Sequence, residues 1–180
     1  MRTLVSLLLL STLLAGCETP RVAPAYGQAA DASAALRSLQ VTGVGIGRFE
    51  GPSTLGNCRG LKPLALPDGM SPTQYVQSAF ETELKAAGAW AGSDPRVKLT
   101  GNIETLAFSS TKLITMGEWT IALSLRSSNG HALRIQESLD FDSGFEAKEA
   151  CQNTANAFAQ LVQNLVGKSI RDPAFAELLK

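Results

Sequence analysis

An Asn-Gly pair between two alternating stretches constrains the fold of this chain more than any other feature. Apolar residues alternate with polar ones before the pair at Trp119, Ile121, Leu123 and Leu125, and after it at Leu133, Ile135, Leu139 and Phe141. A two-residue loop would place Leu125 opposite Arg134 on one face. A three-residue loop, 128–130, places Leu125 opposite Leu133 and keeps both apolar stripes on the same face. We therefore expect a β-hairpin closed by a type I turn, with Gly130 in the left-handed bulge position.

Two further strands are predicted upstream. Residues 40–50 form a first apolar run before a long loop, 51–70, rich in glycine and proline. In residues 97–104, Val97, Leu99 and Ile103 alternate with Lys98, Thr100, Asn102 and Glu104. This alternation predicts a strand with one buried face and one solvated face.

Capping signals delimit two long helices. Ser71 is a favoured N-cap, followed by a proline at the first helical position and by a glutamine that completes a capping box. Gly88 is expected to end this helix. Ser143, with Glu146 three residues on, predicts the start of the second helix, and Gly167 its end.

These elements predict an α+β fold. Their order is β-α-β-β-β-α, followed by a short C-terminal helix from Asp172 and Pro173. The simplest arrangement is an antiparallel-dominated sheet of about four strands with both long helices packed on one face.

The chain begins with a segment typical of an export signal. Residues 1–3 carry a positive charge, and residues 4–14 are an apolar run shorter than the ~20 residues that cross a bilayer. The sequence therefore predicts a signal peptide over residues 1–16.

Leu14, Ala15, Gly16 and Cys17 resemble a bacterial lipobox. The resemblance implies that Cys17 becomes the first mature residue and carries three acyl chains. Two chains already give stable membrane anchoring. Glu18 stands at the second mature position instead of the aspartate that retains such lipoproteins in the inner membrane. By this resemblance, the protein reaches the periplasmic face of the outer membrane. The alternative is a secretory leader that contains an unmodified cysteine.

A tether is expected after the lipid. Residues 18–36 are rich in proline, alanine, glycine and serine, a composition typical of linkers. The sequence predicts a lipidated cysteine and flexible tether over 17–38, followed by a single periplasmic domain over 39–180. Within the tether, the alanine-rich stretch near 29–36 is expected to form at most a frayed helix.

Two cysteines remain once Cys17 is assigned to the lipid. An exported chain with an even remainder predicts a disulfide between Cys58 and Cys151. The alternative is a free thiol that acts as a nucleophile or a metal ligand. His131 is the single histidine and lies in a predicted turn, where it offers no base for a Cys–His pair.

Composition and motifs argue against several function classes. The formal net charge is zero, with 16 basic and 16 acidic residues, whereas nucleic-acid binders carry a basic excess. The sequence contains no G-x-S-x-G, H-E-x-x-H or phosphate-loop motif, and the glycines at 43, 45 and 47 have the wrong spacing for dinucleotide binding. We expect no catalytic residues, no metal site and no cofactor, and hence a protein that is not an enzyme.

Beyond the lipobox, the helix ending at 83–88, the strand at 97–104, the Asn-Gly hairpin and the closing helix resemble small outer-membrane lipoproteins. The nearest group is the YajG-like lipoproteins. More loosely, the chain resembles the lipopolysaccharide-assembly lipoprotein and the auxiliary lipoproteins of lipid-trafficking ABC systems. The resemblance implies a fold and a location, and it carries no functional residues.

Two non-enzymatic functions follow from these expectations. The first is an accessory or scaffold subunit that docks on an envelope complex through its open sheet face, a sheet edge or the 51–70 loop. The second is a binding module for lipid, lipopolysaccharide or peptidoglycan. Lys98, Arg126 and Arg134 on the solvated strand face suit phosphate groups, although such charges commonly serve only solvation.

The two tryptophans have different expected roles. Trp119 belongs to an apolar stripe and is expected in the core. Trp90 follows the first helix stop, and two interpretations stay open, a cap on the core edge or an exposed contact residue.

Overall fold

The computed structural model describes residues 21–61 and 63–180. The signal peptide and Cys17 lie outside these residues. Within them, the elements are α1 (Ala30–Ser38), β1 (Val44–Glu50), α2 (Pro72–Ala87), β2 (Val97–Ser109), β3 (Met116–Ser127), β4 (Ala132–Asp142), α3 (Ala147–Arg171) and α4 (Pro173–Leu178), with a short 3-10 helix (Pro67–Gly69) before α2.

The four strands form one sheet in the order β1-β2-β3-β4. β1 runs parallel to β2, and the other two pairs are antiparallel. α2 and α3 pack on one face of the sheet, so the predicted fold class is confirmed. The parallel pair arises because α2 carries the chain back between β1 and β2.

The predicted hairpin register is also confirmed. Leu125 pairs with Leu133, and Leu123 pairs with Ile135. Gly130 has a φ of 94°, which lies in the region that favours glycine, and its amide donates to the carbonyl of Ser127 at 3.0 Å. The apolar stripes of β3 and β4 therefore face the helices together.

β2 is longer than the predicted strand because its alternation reverses at a bulge. The pairing of β2 with β3 shifts between Ile103 and Thr105. Beyond the shift, Leu106 and Phe108 face the helices, and the Phe108 ring lies 4.7 Å from that of Trp119. A bulge adds one residue to one strand, so the apolar positions change from odd to even numbers.

The core lies between the sheet and the two long helices. Trp119 is fully buried, as predicted, and its Nε1 donates to the carbonyl of Thr154 at 2.8 Å. Ser71 forms the predicted capping box, and Gly88 ends α2 in the left-handed conformation. Rings from β1, α2 and α4 also meet in the core, with Phe80 within 6.3 Å of its aromatic neighbours.

The predicted limits of α3 are wrong at both ends. Ser143 does not cap the helix, because its hydroxyl donates to the carbonyl of Ser110 at 2.7 Å and α3 begins four residues later. Glu146 occupies the N-cap position without a side-chain bond. Gly167 does not end the helix, which continues to Arg171. Packing against α1 and the sheet favours helix there more than glycine disfavours it.

The tether predicted over 17–38 is wrong from residue 21 onward. Residues 21–38, here called the N-terminal arm, pack on the domain. The amide of Ala23 donates to Ala65, and the amide of Ala65 donates to Arg21, both at 2.9 Å. Ala32 and Leu36 of α1 are buried against the long helices. Small alanines gave the segment a linker-like composition, yet in the structure they allow close packing.

A disulfide joins Cys58 to Cys151, as predicted. Their Cα atoms lie 5.7 Å apart, and 93 residues separate them in the sequence. Both residues are fully buried. The bond fastens the 51–70 loop to the first turn of α3 and rules out a free thiol at either position in the oxidised protein.

Candidate functional site

One end of the domain gathers most of its irregular segments. β2 and β4 end there, and β3 and α3 begin there. β1 ends earlier, because Glu50 pairs with Asn102 and not with the last residues of β2. The segments at this end are 21–23, 51–61 and 63–70, 110–115, and 143–146. We call it the proximal end, and the opposite end, with the 128–131 turn and Lys180, the distal end.

Arg59 holds the proximal end together. Its guanidinium donates to the carbonyl of Ser110 at 2.6 Å and to that of Phe145 at 2.8 Å. The amide of Ser143 donates to the carbonyl of Thr115 at 2.7 Å. The neighbouring Cys58 is bonded to α3. Three loops from different parts of the chain are thus fixed to one another by hydrogen bonds and a covalent bond.

The proximal end also carries exposed apolar side chains. Among the residues that the structure describes, four large apolar side chains are exposed: Val22 at 42%, Leu113 at 66%, Ile114 at 80% and Phe145 at 76%. All four lie in the proximal segments. Isolated exposed apolar residues are ordinary, but several together commonly mark a contact surface.

The open face of the sheet holds a depression of about 440 Å³. Its lining residues are Arg48, Glu50, Thr100, Gly101, Asn102, Ser124 and Arg126. Within residues 21–61 and 63–180, no salt bridge forms at Arg48 or Arg126. The Glu50 carboxylate lines the same depression, so the two guanidinium groups leave it with a formal net charge of +1, which suits an anionic ligand.

The three predicted cations do not form one cluster. Arg126 lines the depression. Arg134 instead donates through Nε to Glu104 at 2.7 Å. The hydrogen bonds from Ser124 and then from Arg134 lower the pKa of Glu104. Lys98 is exposed on the same face, with its backbone amide bonded to Ser128. Arg48 replaces Arg134 as the companion of Arg126.

Trp90 lies half-buried at the edge of the sheet. The residues on either side of Trp90 are hydrogen-bonded to Val44 of β1. The Val44 amide donates to the carbonyl of Ala89 at 2.9 Å, and the Ala91 amide donates to the carbonyl of Val44 at 2.8 Å. The Lys85 ammonium lies 5.3 Å from the centre of the Trp90 ring. The structure therefore favours the first of the two interpretations, a residue that covers the core edge.

Glu83 is a fully buried carboxylate that the sequence analysis did not single out. It accepts hydrogen bonds from the Tyr26 hydroxyl and the Ala29 amide at 2.7 Å each, and from the Ser33 hydroxyl at 2.5 Å. Ala29 is the N-cap of α1, so Glu83 of α2 caps the arm's helix from a different element. Burial, and then the hydrogen bond to Glu83, raise the pKa of Tyr26.

No metal centre is present in the described part of the chain. Residues 21–61 and 63–180 contain no group of three or more His, Cys, Asp or Glu side chains placed to hold an ion. His131 is exposed beside the hairpin turn, away from both candidate surfaces. In the same range, no helix has both the length and the apolar character needed to cross a bilayer.

Sequence reasoning missed Arg48, Leu113, Ile114, Phe145 and Glu83. Arg48 lies in β1, where the pairing with β2 shifts between Ile46 and Phe49. Because of this shift, simple alternation does not predict which side chains of β1 reach the open face. The adjacent Leu113 and Ile114 offered a signal, because two apolar residues interrupt an otherwise polar loop. Phe145 and Glu83 are single residues whose placement depends on distant segments.

Comparisons with known proteins are limited to the fold. Neither the family models nor the curated proteins gave a match to this sequence. One similar structure is a protein from Caulobacter crescentus CB15 described as a candidate lipoprotein, with 15% identity and a TM-score of 0.46; the match covers 81% of this chain and 93% of that one. Another is a protein from Xanthomonas campestris of the family DUF330, with 13% identity and a TM-score of 0.47; the match covers 84% of this chain and 91% of that one.

At these identities and TM-scores, neither comparison bears on what this chain binds. The narrower resemblance to YajG-like proteins, to the lipopolysaccharide-assembly lipoprotein and to ABC-system auxiliary lipoproteins stays a prediction from the sequence.

Proposed function

We propose that this chain is a non-enzymatic lipoprotein of the bacterial cell envelope. Acylated Cys17 anchors it at the periplasmic face of the outer membrane, where it serves as an accessory or scaffold subunit of an envelope complex. The lipobox carries the anchor, and Glu18 supports the outer membrane as its destination.

The packed N-terminal arm is the observation that carries this proposal. Because the arm is part of the fold from Arg21, only residues 18–20 separate it from Cys17. Four peptide steps span at most ~14 Å. A domain held this closely to a bilayer is positioned to act beside the membrane, as a scaffold subunit does, and not to diffuse through the periplasm.

The buried polar groups support a structural use of the core. In the described ranges, every buried side-chain nitrogen or oxygen has a hydrogen-bond partner. Glu83 is the buried carboxylate among them, and its bonds to the arm account for it. The buried Tyr75 hydroxyl likewise bonds the arm, because it donates to the carbonyl of Pro24 at 2.9 Å. Catalytic sites commonly carry ionisable side chains with shifted pKa values that face a cleft, whereas Glu83 lies inside the fold. The disulfide is consistent with the oxidising periplasm.

Photo-crosslinking in the intact envelope tests the scaffold role. A benzophenone side chain placed at Gln136 on the open sheet face should give a discrete protein adduct. A matched position at Gln160, exposed midway along α3, serves as the control. Lipid or glycan adducts alone would contradict the scaffold role and favour a binding module.

The anchor itself is tested by mass spectrometry of the mature protein. The expected amino terminus is Cys17 with three acyl chains. An unmodified thiol at Cys17, or a different amino terminus, would contradict the membrane anchor.

A second candidate function rests on the depression beside Arg48 and Arg126. In this proposal, the open sheet face binds the anionic headgroup of a lipid or of lipopolysaccharide. Arg48→Ala combined with Arg126→Ala should weaken lipopolysaccharide binding by at least about tenfold, measured by calorimetry on the detergent-solubilised lipoprotein. Arg134→Ala combined with Glu104→Ala is the control, since it removes an ion pair on the same face without changing the net charge. Equal losses in both variants, or no binding by the wild type, would contradict the site.

A further inference from the structure

We propose that the proximal end inserts Leu113, Ile114 and Phe145 into the interfacial region of the phospholipid bilayer. The inference rests on the lipid anchor of the proposed function and adds a second membrane contact to it. With two membrane contacts, the domain has a fixed orientation on the bilayer, which the lipid at Cys17 alone would not give it.

The three side chains lie on two adjoining segments, which together we call the apolar tip. Leu113 and Ile114 occupy the β2–β3 loop, and Phe145 lies in the segment between β4 and α3. The two segments meet because the amides of Ser143 and Gly144 both donate to the carbonyl of Thr115. At 66% to 80% exposure, these side chains face solvent at an energetic cost that an apolar environment would relieve.

The position of the anchor selects the bilayer as the occupant. The described arm begins at Arg21, and Val22 forms a bridge to Ala65 within the proximal end. Cys17 is therefore within ~14 Å of that end. β2 has 13 residues, so the distal end lies roughly 40 Å away along the strands. Because the segment between Cys17 and the fold is this short, the proximal end faces the membrane and the distal end faces away from it.

The charges around the tip indicate apolar insertion, not attraction to anionic lipid. The Lys112 ammonium is bonded to Glu118 at 2.8 Å and to Asp140 at 2.7 Å. The Arg59 guanidinium is engaged by backbone carbonyls. These two cations are therefore already engaged. A third, the exposed Lys148, lies three residues after Phe145. Exposed Glu146 and Glu149 flank it, so the net charge beside the tip is not basic. The membrane contact of the tip should be nearly independent of salt and of anionic lipid content.

The rigidity of the tip supports the same conclusion. Arg59 and the Cys58–Cys151 disulfide hold the loops before any membrane is met. Insertion then orders few additional side chains, which keeps the entropic cost of binding low.

Fluorescence quenching by brominated lipids tests the proposal on the full mature lipoprotein in phosphatidylcholine vesicles. Ile114→Trp is the probe, and His131→Trp, in the distal turn, is the matched control. The fluorescence of the added tryptophan is the emission of the variant minus that of the wild type. Bromine atoms near the headgroups should quench roughly half of this added fluorescence in Ile114→Trp and none of it in His131→Trp. Raising NaCl from about 0.1 M to about 1 M should change neither result.

Three outcomes separate the possibilities. Equal emission of Ile114→Trp in brominated and plain vesicles, from protein that floats with the vesicles, would overturn the insertion and leave the anchor intact. Failure of the protein to float with vesicles would contradict the anchor. A benzophenone at position 114 should crosslink to phospholipid in cells, and a discrete protein adduct there would assign the tip to a protein partner and overturn the proposal.

Discussion

Replacing Glu83 with alanine should release the N-terminal arm from the domain. Glu83 accepts hydrogen bonds from Tyr26, Ala29 and Ser33, and these bonds join α1 to α2. The Ser33 hydroxyl has a second acceptor in the carbonyl of Ala29, at 3.2 Å. Glu83→Ala therefore leaves two donors without an acceptor, the Ala29 amide and the Tyr26 hydroxyl.

The magnitude follows from these two donors. An unsatisfied buried donor costs ~1–3 kcal/mol, so the variant should lose about 2–6 kcal/mol if the arm stayed in place. The arm can instead detach and become solvated, which exposes Ala32 and Leu36. Burial of a leucine is worth ~1.5–3 kcal/mol, so opening the arm limits the loss to the lower part of the range, about 2–4 kcal/mol. The effect should be local to residues 21–38.

Native-state hydrogen exchange measures this local opening. Amides in α1 should exchange about 30- to 1,000-fold faster in Glu83→Ala than in the wild type, while those of β3 stay protected. Glu81→Ala is the control, because Glu81 lies on the same helix and forms only an exposed salt bridge with Lys85. Exchange in α1 that is unchanged by Glu83→Ala, or equally accelerated by Glu81→Ala, would refute the reasoning.

Three further predictions concern the disulfide, the tyrosines and the hairpin. Replacing Cys58 and Cys151 with serine should lower the free energy of unfolding by about 4–5 kcal/mol in urea titrations, since the bond closes a loop across 93 residues. Burial raises the pKa of Tyr75 to about 12 and also raises that of Tyr26. The unfolded state therefore loses these protons first, stability falls as the pH rises above 10, and Tyr75→Phe should flatten that fall between pH 10 and about 12. Gly130→Ala should cost about 1–2 kcal/mol in thermal unfolding because of its positive φ.

Each of these has a clear contrary result. A loss below about 1 kcal/mol without the disulfide would mean that the unfolded chain is already compact around that loop. If the free energy of unfolding fell equally above pH 10 in Tyr75→Phe and in the wild type, the titrating group would not be Tyr75. Gly130→Asn should be better tolerated than Gly130→Ala, and the reverse order would contradict a conformational cause.

The sequence predicted the parts of the fold that depend on neighbouring residues. The β3–β4 register follows from alternation and turn length over about twenty residues, and the start of α2 follows from its capping box. The disulfide followed from export and an even number of cysteines. Each of these signals is local or compositional, so it can be recognised without knowledge of the packing.

The parts that sequence missed depend on distant partners. The stretch near 29–36 was expected to form only a frayed helix within a tether. The packing of α1 was missed because Glu83, which caps it, lies 54 residues after Ala29. The second half of β2 was missed because the bulge after Ile103 reverses its alternation. Leu113, Ile114 and Phe145 have no periodicity, and only the folded loops bring them together.

The two bonds between the arm and Ala65 have a mechanical consequence. In a chain held at Cys17, any pull on the membrane anchor enters the fold where Arg21 and Ala23 bond Ala65. Ala65 belongs to the loop that the Cys58–Cys151 bond fastens to α3. The load therefore reaches this loop through two backbone hydrogen bonds, and the disulfide keeps the loop attached to the longest helix.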